Sequence, residues 1–358
     1  MKRVLPRSPP SEGFLSALII IAVTVFGWAL AYLWEPSARV GDAYVPMDHD
    51  GYYHAVRILD AVQSGALVVF QFDHLMHVPE GNWVIWPWGY DSLMAGLLRL
   101  LQSLFPTAAQ DYLLGLLPLL WVPVNVTLVV LIGRAMGLSA SVRLILGLSY
   151  VAAVGFVRLH AFGVLDHHQA EQALYSAALL TWLLWLRAPN SARGAIACGI
   201  VIGIAPAFHT SLIFVHVASI ALLGMLWMRN SLPTPRSTLL FAPALLFTAV
   251  SVALLSAPFR AGETTHYLLS WFQLLASLGL ALLVPLLARY QITVRRGIAA
   301  GLLLLTTMVL GHGAIADALA YVTGQGDYLG GITESKSWLW QWLTGERDAL
   351  SLAWLYTA

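Results

Sequence analysis

Nine apolar runs, several of them long enough to cross a bilayer, most constrain what this chain can fold into. A hydrocarbon core about 30 Å thick needs roughly 20 apolar residues of helix. Of the 358 residues, 59% are apolar and 10% charged, against about 25% charged in an ordinary soluble domain. The sequence excludes a soluble globular protein and predicts an all-α, polytopic membrane protein with about nine to ten transmembrane helices. The runs are 13–34, 113–132, 144–157, 173–186, 194–208, 212–227, 239–257, 268–288 and 298–311.

Two segments could change that count. The first run is too long for the apolar core of a signal peptide and no clear A-x-A site follows it, so we interpret it as an anchor. Residues 92–105 are also apolar, but the segment is short and contains Arg99. These properties favour an interfacial or re-entrant helix over a crossing.

Charge asymmetry predicts the orientation, because cytoplasmic loops retain Lys and Arg. Lys2, Arg3 and Arg7 place the N-terminus inside, and most of the 19 Lys and Arg residues then fall on the cytoplasmic side. Of the 18 acidic residues, Glu12 alone falls inside. We therefore expect a multi-pass protein of the inner or plasma membrane whose acid-rich face is periplasmic or extracellular.

The layout is that of a single transmembrane domain over residues 1–358. We expect a cytoplasmic tail at 1–12, a long first outer loop at 35–112, a second outer loop at 158–171 and a third at 316–340. The formal net charge of +1 gives no indication of a nucleic-acid partner. The single cysteine, Cys198, excludes an intrachain disulfide.

The first outer loop carries two carboxylates spaced as Asp48-His49-Asp50. This spacing can offer both carboxylates to one hard cation, which prefers oxygen ligands. The same residues are typical of a helix N-terminus, where Asp50 would cap a helix beginning at Gly51. The residues alone leave both interpretations open.

The second outer loop contains Asp166-His167-His168 after a glycine. A carboxylate beside imidazoles offers oxygen and nitrogen ligands together, a combination that suits Mn²⁺ as well as Mg²⁺. A capping box formed by Asp166 and Gln169 would explain neither histidine. Because polar groups at membrane ends are costly and usually retained for function, the pattern favours a site.

Two more polar residues are candidates with weaker signals. Arg158 presents a fork of donors that suits phosphate oxygens, although an arginine that snorkels to the interface has the same pattern. Glu334 lies in the third outer loop, where a lone carboxylate is by itself typical of a solvated loop.

Taken together, these stretches resemble the membrane half of the STT3/AglB/PglB oligosaccharyltransferases, which belong to the GT-C superfamily of lipid-phosphosugar-dependent glycosyltransferases. The resemblance covers nearly the whole chain. The matching segments are Asp50-Gly51-Tyr52 for the first acidic motif, Phe72-Asp73, Pro79-Glu80-Gly81 and Trp86-Pro87 for an F-D…P-x-G…W-P pattern, Asp166-His167-His168 for the second motif, and Ile332-Thr333-Glu334-Ser335 for the third.

The resemblance implies a GT-C fold and an inverting, metal-dependent transfer of a sugar or oligosaccharide from a polyprenyl-(di)phosphate donor to a protein or glycan acceptor. It implies that Mg²⁺ or Mn²⁺ is held by Asp50, Asp166 and His168. Catalytic roles would then fall to Asp50, Asp166 and Glu334, with Glu334 orienting the acceptor. Substrate-binding roles are expected for four neighbouring residues, Asp48, His167, Arg158 and Glu171.

The chain departs from the family in one respect, because we expect the soluble C-terminal domain with its W-W-D-Y-G motif to be absent. Acceptor recognition is therefore open. One alternative is a GT-C enzyme that uses a polyprenyl-monophosphate donor to modify a lipid or polysaccharide. The other is a transporter or flippase, which should carry its ionisable residues near mid-membrane in two corresponding halves, whereas here they lie in outer loops.

Overall fold

The computed structural model describes residues 11–289, and this part of the chain is almost entirely helical. Two short antiparallel hairpins interrupt the helices, with β1 (Arg39–Val40) paired to β2 (Ala43–Tyr44) and β3 (Phe72–Asp73) paired to β4 (Asn82–Trp83). The helices are α1 (Glu12–Tyr32), α2 (Glu35–Ala38), α3 (His49–Ser64), α4 (Gly89–Leu104), α5 (Gln110–Leu116), α6 (Trp121–Ala135), α7 (Ala140–Ala152), α8 (Val154–Leu159), α9 (His168–Arg187), α10 (Ala192–Ile204), α11 (Ile213–Met228), α12 (Pro235–Leu254), α13 (Ala257–Arg260) and α14 (Trp271–Arg289).

The predicted apolar runs coincide with helices wherever the structure describes them. Eight of the nine lie on α1, α5–α6, α7, α9, α10, α11, α12 and α14, and the run at 298–311 lies outside the described residues. By length and composition, five segments could cross a membrane within residues 11–289, and two shorter apolar helices accompany them. The chain is thus a helical membrane protein, while the full number of crossings stays a prediction.

The segment predicted as a long first outer loop is built from regular elements. It contains α2, α3, α4 and both hairpins. Segment 92–105, predicted to be an interfacial helix, coincides with α4, which buries Met94 and Leu98 on one face. A buried face opposite an exposed one is typical of an amphipathic helix.

The described residues form two compact units, one of residues 11–69 with Tyr90–Leu184 and the other of Phe70–Gly89 with residues 185–289. In the first unit, α1, α6 and α7 pack on one another around Val23, Val126 and Val151. A Cβ on Gly27 would lie 3.0 Å from a Val122 methyl carbon. Such small residues let neighbouring membrane helices approach closely.

One polar contact in the first unit joins the start of α1 to α7. The fully buried Arg143 donates from Nη1 to Ser16 Oγ (2.8 Å) and from Nη2 to Glu12 Oε2 (2.5 Å). This contact pairs Glu12, the one acidic residue assigned to the cytoplasmic side, with a basic residue of that side.

In the second unit, α12 packs between α10 and α14, and α11 packs on α14. A Cβ on Gly199 of α10 would lie 2.7 Å from the Phe241 carbonyl oxygen of α12, so the two backbones are in direct contact. His216 of α11 lies 2.9 Å from the Ser277 hydroxyl of α14. A polar pair of this kind between membrane helices contributes about 1 kcal/mol.

Candidate functional site

The site lies in the first unit, at the N-terminus of α3. Asp48 has an extended backbone, and its carboxylate accepts from the Gly51 N–H. The residue that caps this helix is therefore Asp48, and the helix begins at His49, two residues before the position expected with Asp50 as cap. Asp50 lies in the first turn with an exposed side chain. Its carboxylate is not consumed by capping.

The Asp166 loop is held against this region by the backbone of Gly163. Its N–H donates to the Gly115 carbonyl (2.9 Å), and its carbonyl accepts from the Met47 N–H (3.2 Å). Gly163 has φ +86°, and a Cβ there would lie 2.9 Å from Ala38 Cβ. The glycine of the second motif is thus required by backbone conformation and by space.

A buried network of hydrogen bonds around Gln169 holds the loop that carries Asp166. The Gln169 amide donates from Nε2 to the Leu159 and Val164 carbonyls (2.7 and 2.9 Å), and Oε1 accepts from the Tyr90 hydroxyl (3.1 Å). Asn125 of α6 donates to the Gln169 carbonyl (3.1 Å). These partners differ from those of a capping box. Gln169 fixes the loop on which Asp166 stands, because both polar ends of its side chain are hydrogen-bonded, one of them to the loop backbone.

Asp166 presents its two oxygens to different histidines. Oδ1 lies 3.0 Å from His167 Nδ1, and Oδ2 lies 3.6 Å from His168 Nε2. Burial opposes ionisation, but the hydrogen bond from His167 and the charges of His167, His168 and His54 outweigh it and hold the pKa of Asp166 well below its usual range. Asp166 is therefore a carboxylate at any physiological pH.

His168 is paired on both sides with carboxylates. Nδ1 lies 2.5 Å from Glu171 Oε2, one turn along α9. Burial lowers the pKa of His168, but the bond to Glu171 and the charges of Asp166, Glu171 and Asp50 raise it to about 9. A cation that binds this imidazole must displace its proton.

A fully buried triad of charged and polar groups stands behind the loop. His54 Nδ1 lies 2.7 Å from Asp91 Oδ1, and Arg57 Nη1 lies 2.6 Å from Asp91 Oδ2. His54 Nε2 faces His167 Nδ1 at 3.3 Å. Sequence reasoning missed the triad. The signal that could have revealed it is the pair of opposite charges, Arg57 on α3 and Asp91 on α4, because a buried charge requires a partner.

The donor set fits a divalent cation. One donor atom each from His54, Asp166 and His167 lie within 4.8 Å of one another. The Asp166 Oδ1 atom is buried and lies 3.0 Å from His167 Nδ1. A buried carboxylate oxygen beside imidazole nitrogens is the environment that a cation would satisfy.

The structure places the predicted residues as follows. Asp166, His167, His168 and Glu171 lie together, and Asp50 is close enough for its charge to act on His168. Asp48 is partly buried, and burial raises its pKa, opposed by the bond from Gly51. Arg158 is exposed in the last turn of α8. Glu334 lies outside the described residues.

Comparisons with known proteins reveal similarity in structure. No protein family and no curated protein sequence matches the chain. Solved structures of the Archaeoglobus fulgidus oligosaccharyltransferase do match. AglB in complex with an inhibitory peptide and a dolichol-phosphate has a TM-score of 0.71 at 17% identity over 90% of this chain. The complex with Zn and sulfate has a TM-score of 0.68 at 15% identity over 92% of this chain.

A third structure of that enzyme, tethered to an acceptor peptide with the NVT sequon, has a TM-score of 0.65 at 16% identity over 85% of this chain. This chain spans 38–43% of the length of those three structures. It therefore shares the fold of the matched part of the archaeal oligosaccharyltransferase.

Proposed function

We propose that the chain is a membrane glycosyltransferase that transfers a sugar or oligosaccharide from a polyprenyl-(di)phosphate donor to an acceptor. The observation that carries this proposal is the anionic Asp166 between two histidines, on a loop fixed by Gly163 and Gln169, within a fold shared with an oligosaccharyltransferase. The archaeal structures were solved with dolichol-phosphate, with an acceptor peptide and with Zn, which supports a lipid-linked donor, a peptide acceptor and a divalent metal.

The transfer requires that the bond between the anomeric carbon and a phosphate oxygen breaks while the acceptor oxygen or nitrogen bonds to that carbon from the opposite face. The acceptor releases its proton to solvent, and the (di)phosphate leaves with the electron pair of the broken bond. A divalent metal supplies neutralisation of the charge that grows on the leaving oxygens. Asp50, Asp166 and His168 would hold Mg²⁺ or Mn²⁺.

The remaining predicted residues surround the substrates. Glu334 would accept a hydrogen bond from the acceptor. This bond would orient the acceptor for attack on the anomeric carbon. Arg158 would contact the donor phosphates through its planar fork. Asp48 holds the first turn of α3, and Glu171 restrains His168, so both would position the groups that meet the donor.

A transfer assay on the purified full chain tests the proposal. Radiolabelled polyprenyl-diphosphate and polyprenyl-monophosphate sugars serve as separate donors, with a peptide and a glycan as separate acceptors. We expect transfer that stops with excess chelator and returns with Mn²⁺ or Mg²⁺. Asp166→Asn should abolish transfer, whereas Asp42→Asn in the exposed β1–β2 turn should leave it unchanged. No transfer by the native chain from either donor would refute the proposal.

Orientation is tested separately by cysteine labelling. In a Cys198→Ala background, a cysteine placed beside His167 should react with an impermeant reagent from the periplasmic or extracellular side. Labelling from the cytosol only would reverse the proposed topology.

A further inference from the structure

One end of the helix bundle in the second unit carries a set of exposed arginines, which we call the basic face. They stand at the last residue of α9, in the first turn of α10, directly after α11, in the first turn of α12 and at the last residue of α14. In chain order they are Arg187, Arg193, Arg229, Arg236 and Arg289.

Contacts within the unit bring these helix ends to one level. The Pro189 carbonyl, in the turn between α9 and α10, accepts from the Ser237 hydroxyl (2.6 Å) and from the Thr234 N–H (3.3 Å) at the start of α12. A short connection joins the end of α11 to the same start. At the other end of α12, the Ser256 hydroxyl donates to the Leu269 carbonyl, just before α14. Because α12 and α14 pack together and have 20 and 19 residues, α14 ends level with the start of α12.

The basic face has no counter-charge of its own. Residues 185–289 contain one acidic residue, Glu263, which lies at the opposite end of the bundle, at the start of α14. Within residues 11–289, the ion pairs involve none of the five arginines. Arg193 and Arg236 even stand in the first turn of a helix, where a cation opposes the helix dipole. The anions that neutralise this face must therefore come from outside the described residues.

The depth of the arginines identifies these anions. Helices α11, α12 and α14 are candidate membrane spans. Arg229 directly follows α11, Arg236 is the second residue of α12, and Arg289 ends α14. A helix of 20 residues is about 30 Å long, which matches the hydrocarbon core, so groups at its end lie at the level of the lipid phosphates. A guanidinium binds phosphate oxygens through two parallel hydrogen bonds.

We propose that the basic face binds the phosphate groups of anionic phospholipids in the leaflet that it meets. Each arginine close to an anionic membrane surface strengthens the attraction roughly fivefold. A headgroup such as that of phosphatidylglycerol carries a phosphate without a compensating ammonium, so it should be preferred over phosphatidylcholine. This binding requires no catalytic activity, and it does not rest on the proposed function.

Competition between two lipids tests the inference. In a Cys198→Ala background, a fluorophore is attached to Asn190→Cys, an exposed position in the turn between α9 and α10. The full chain is placed in phosphatidylcholine vesicles, and phosphatidylglycerol or phosphatidylcholine with the same acyl spin label is added as quencher. Half-quenching should occur at a mole fraction at least about tenfold lower for phosphatidylglycerol. High salt should reduce this preference, because it screens exposed charges.

Paired variants locate the binding. Arg193→Gln combined with Arg236→Gln should lower the preference at least about fivefold. The fold should persist, because both changes remove a cation from the positive end of a helix, and circular dichroism checks this. Arg134→Gln combined with Arg260→Gln removes two exposed arginines outside the basic face and should leave the preference unchanged.

Three results would overturn the inference. Equal quenching of the native chain by the two lipids would leave the arginines with a role in membrane orientation only. An unchanged preference in the Arg193 and Arg236 double variant would place the binding elsewhere. An equal loss in the control pair would reduce the effect to the net charge of the chain.

Discussion

The buried triad behind the site yields a quantitative stability prediction through Asp91→Asn. Asn retains the shape of Asp91 and an oxygen that accepts from His54, but removes the charge opposite Arg57. Arg57 and Asp91 are 0% exposed and 2.6 Å apart. Removing one partner of a buried pair leaves an uncompensated charge and costs about 3–5 kcal/mol. We expect a loss of that size in the free energy of unfolding.

The assay is a denaturant titration of the detergent-solubilised protein followed by tryptophan fluorescence. Arg57→Met combined with Asp91→Asn removes the stranded cation while retaining the acceptor for His54, and should recover most of the loss. Asp42→Asn is the matched control, because Asp42 pairs with Arg39 at 3.8 Å in solvent, where ion pairs contribute little. A loss below about 1 kcal/mol for Asp91→Asn, or an equal loss in the double variant, would refute the reasoning.

Three further predictions concern other parts of the chain. Gly163→Ala should lower the free energy of unfolding by more than Gly41→Ala. Both glycines have a positive φ, which costs an alanine about 1–2 kcal/mol, but only at Gly163 would the new Cβ also meet a neighbouring Cβ. Equal losses in the same titration would contradict this. Arg143→Met should lose about 1.5–3 kcal/mol through its charged hydrogen bonds, and the exposed Arg134→Met almost nothing. Glu334→Gln should retain donor binding and lower transfer, whereas unchanged transfer would reduce Glu334 to a solvated loop residue.

The helices could be predicted from sequence because their signal is local. An apolar run in lipid must satisfy its own backbone hydrogen bonds, and a helix does so within the run. Eight of the nine runs accordingly coincide with helices. The proximity of Asp166 to His168 was equally predictable, since the two are close in sequence.

The support of the site could not be predicted in this way. His54 lies 37 residues from Asp91 and 113 residues from His167, and only tertiary packing brings them together. The interpretation that made Asp50 the cap of α3 places the cap two residues too late, for a different reason. Both Asp48 and Asp50 suit an N-cap, and the choice depends on which backbone is extended.

Segment 70–89 of the second unit makes hydrogen bonds with residues that are synthesised much later. Gln71 binds the Leu255 carbonyl and the Ala257 N–H through its amide (both 3.0 Å), and Trp83 donates to Glu263 (3.0 Å). The partners of Gln71 lie 184 and 186 residues further along the chain and that of Trp83 lies 180 residues further, so the ribosome adds these partners long after the segment itself. Until then the segment lacks these hydrogen-bond partners, and we expect proteolysis of chains stalled before residue 255 to occur within it.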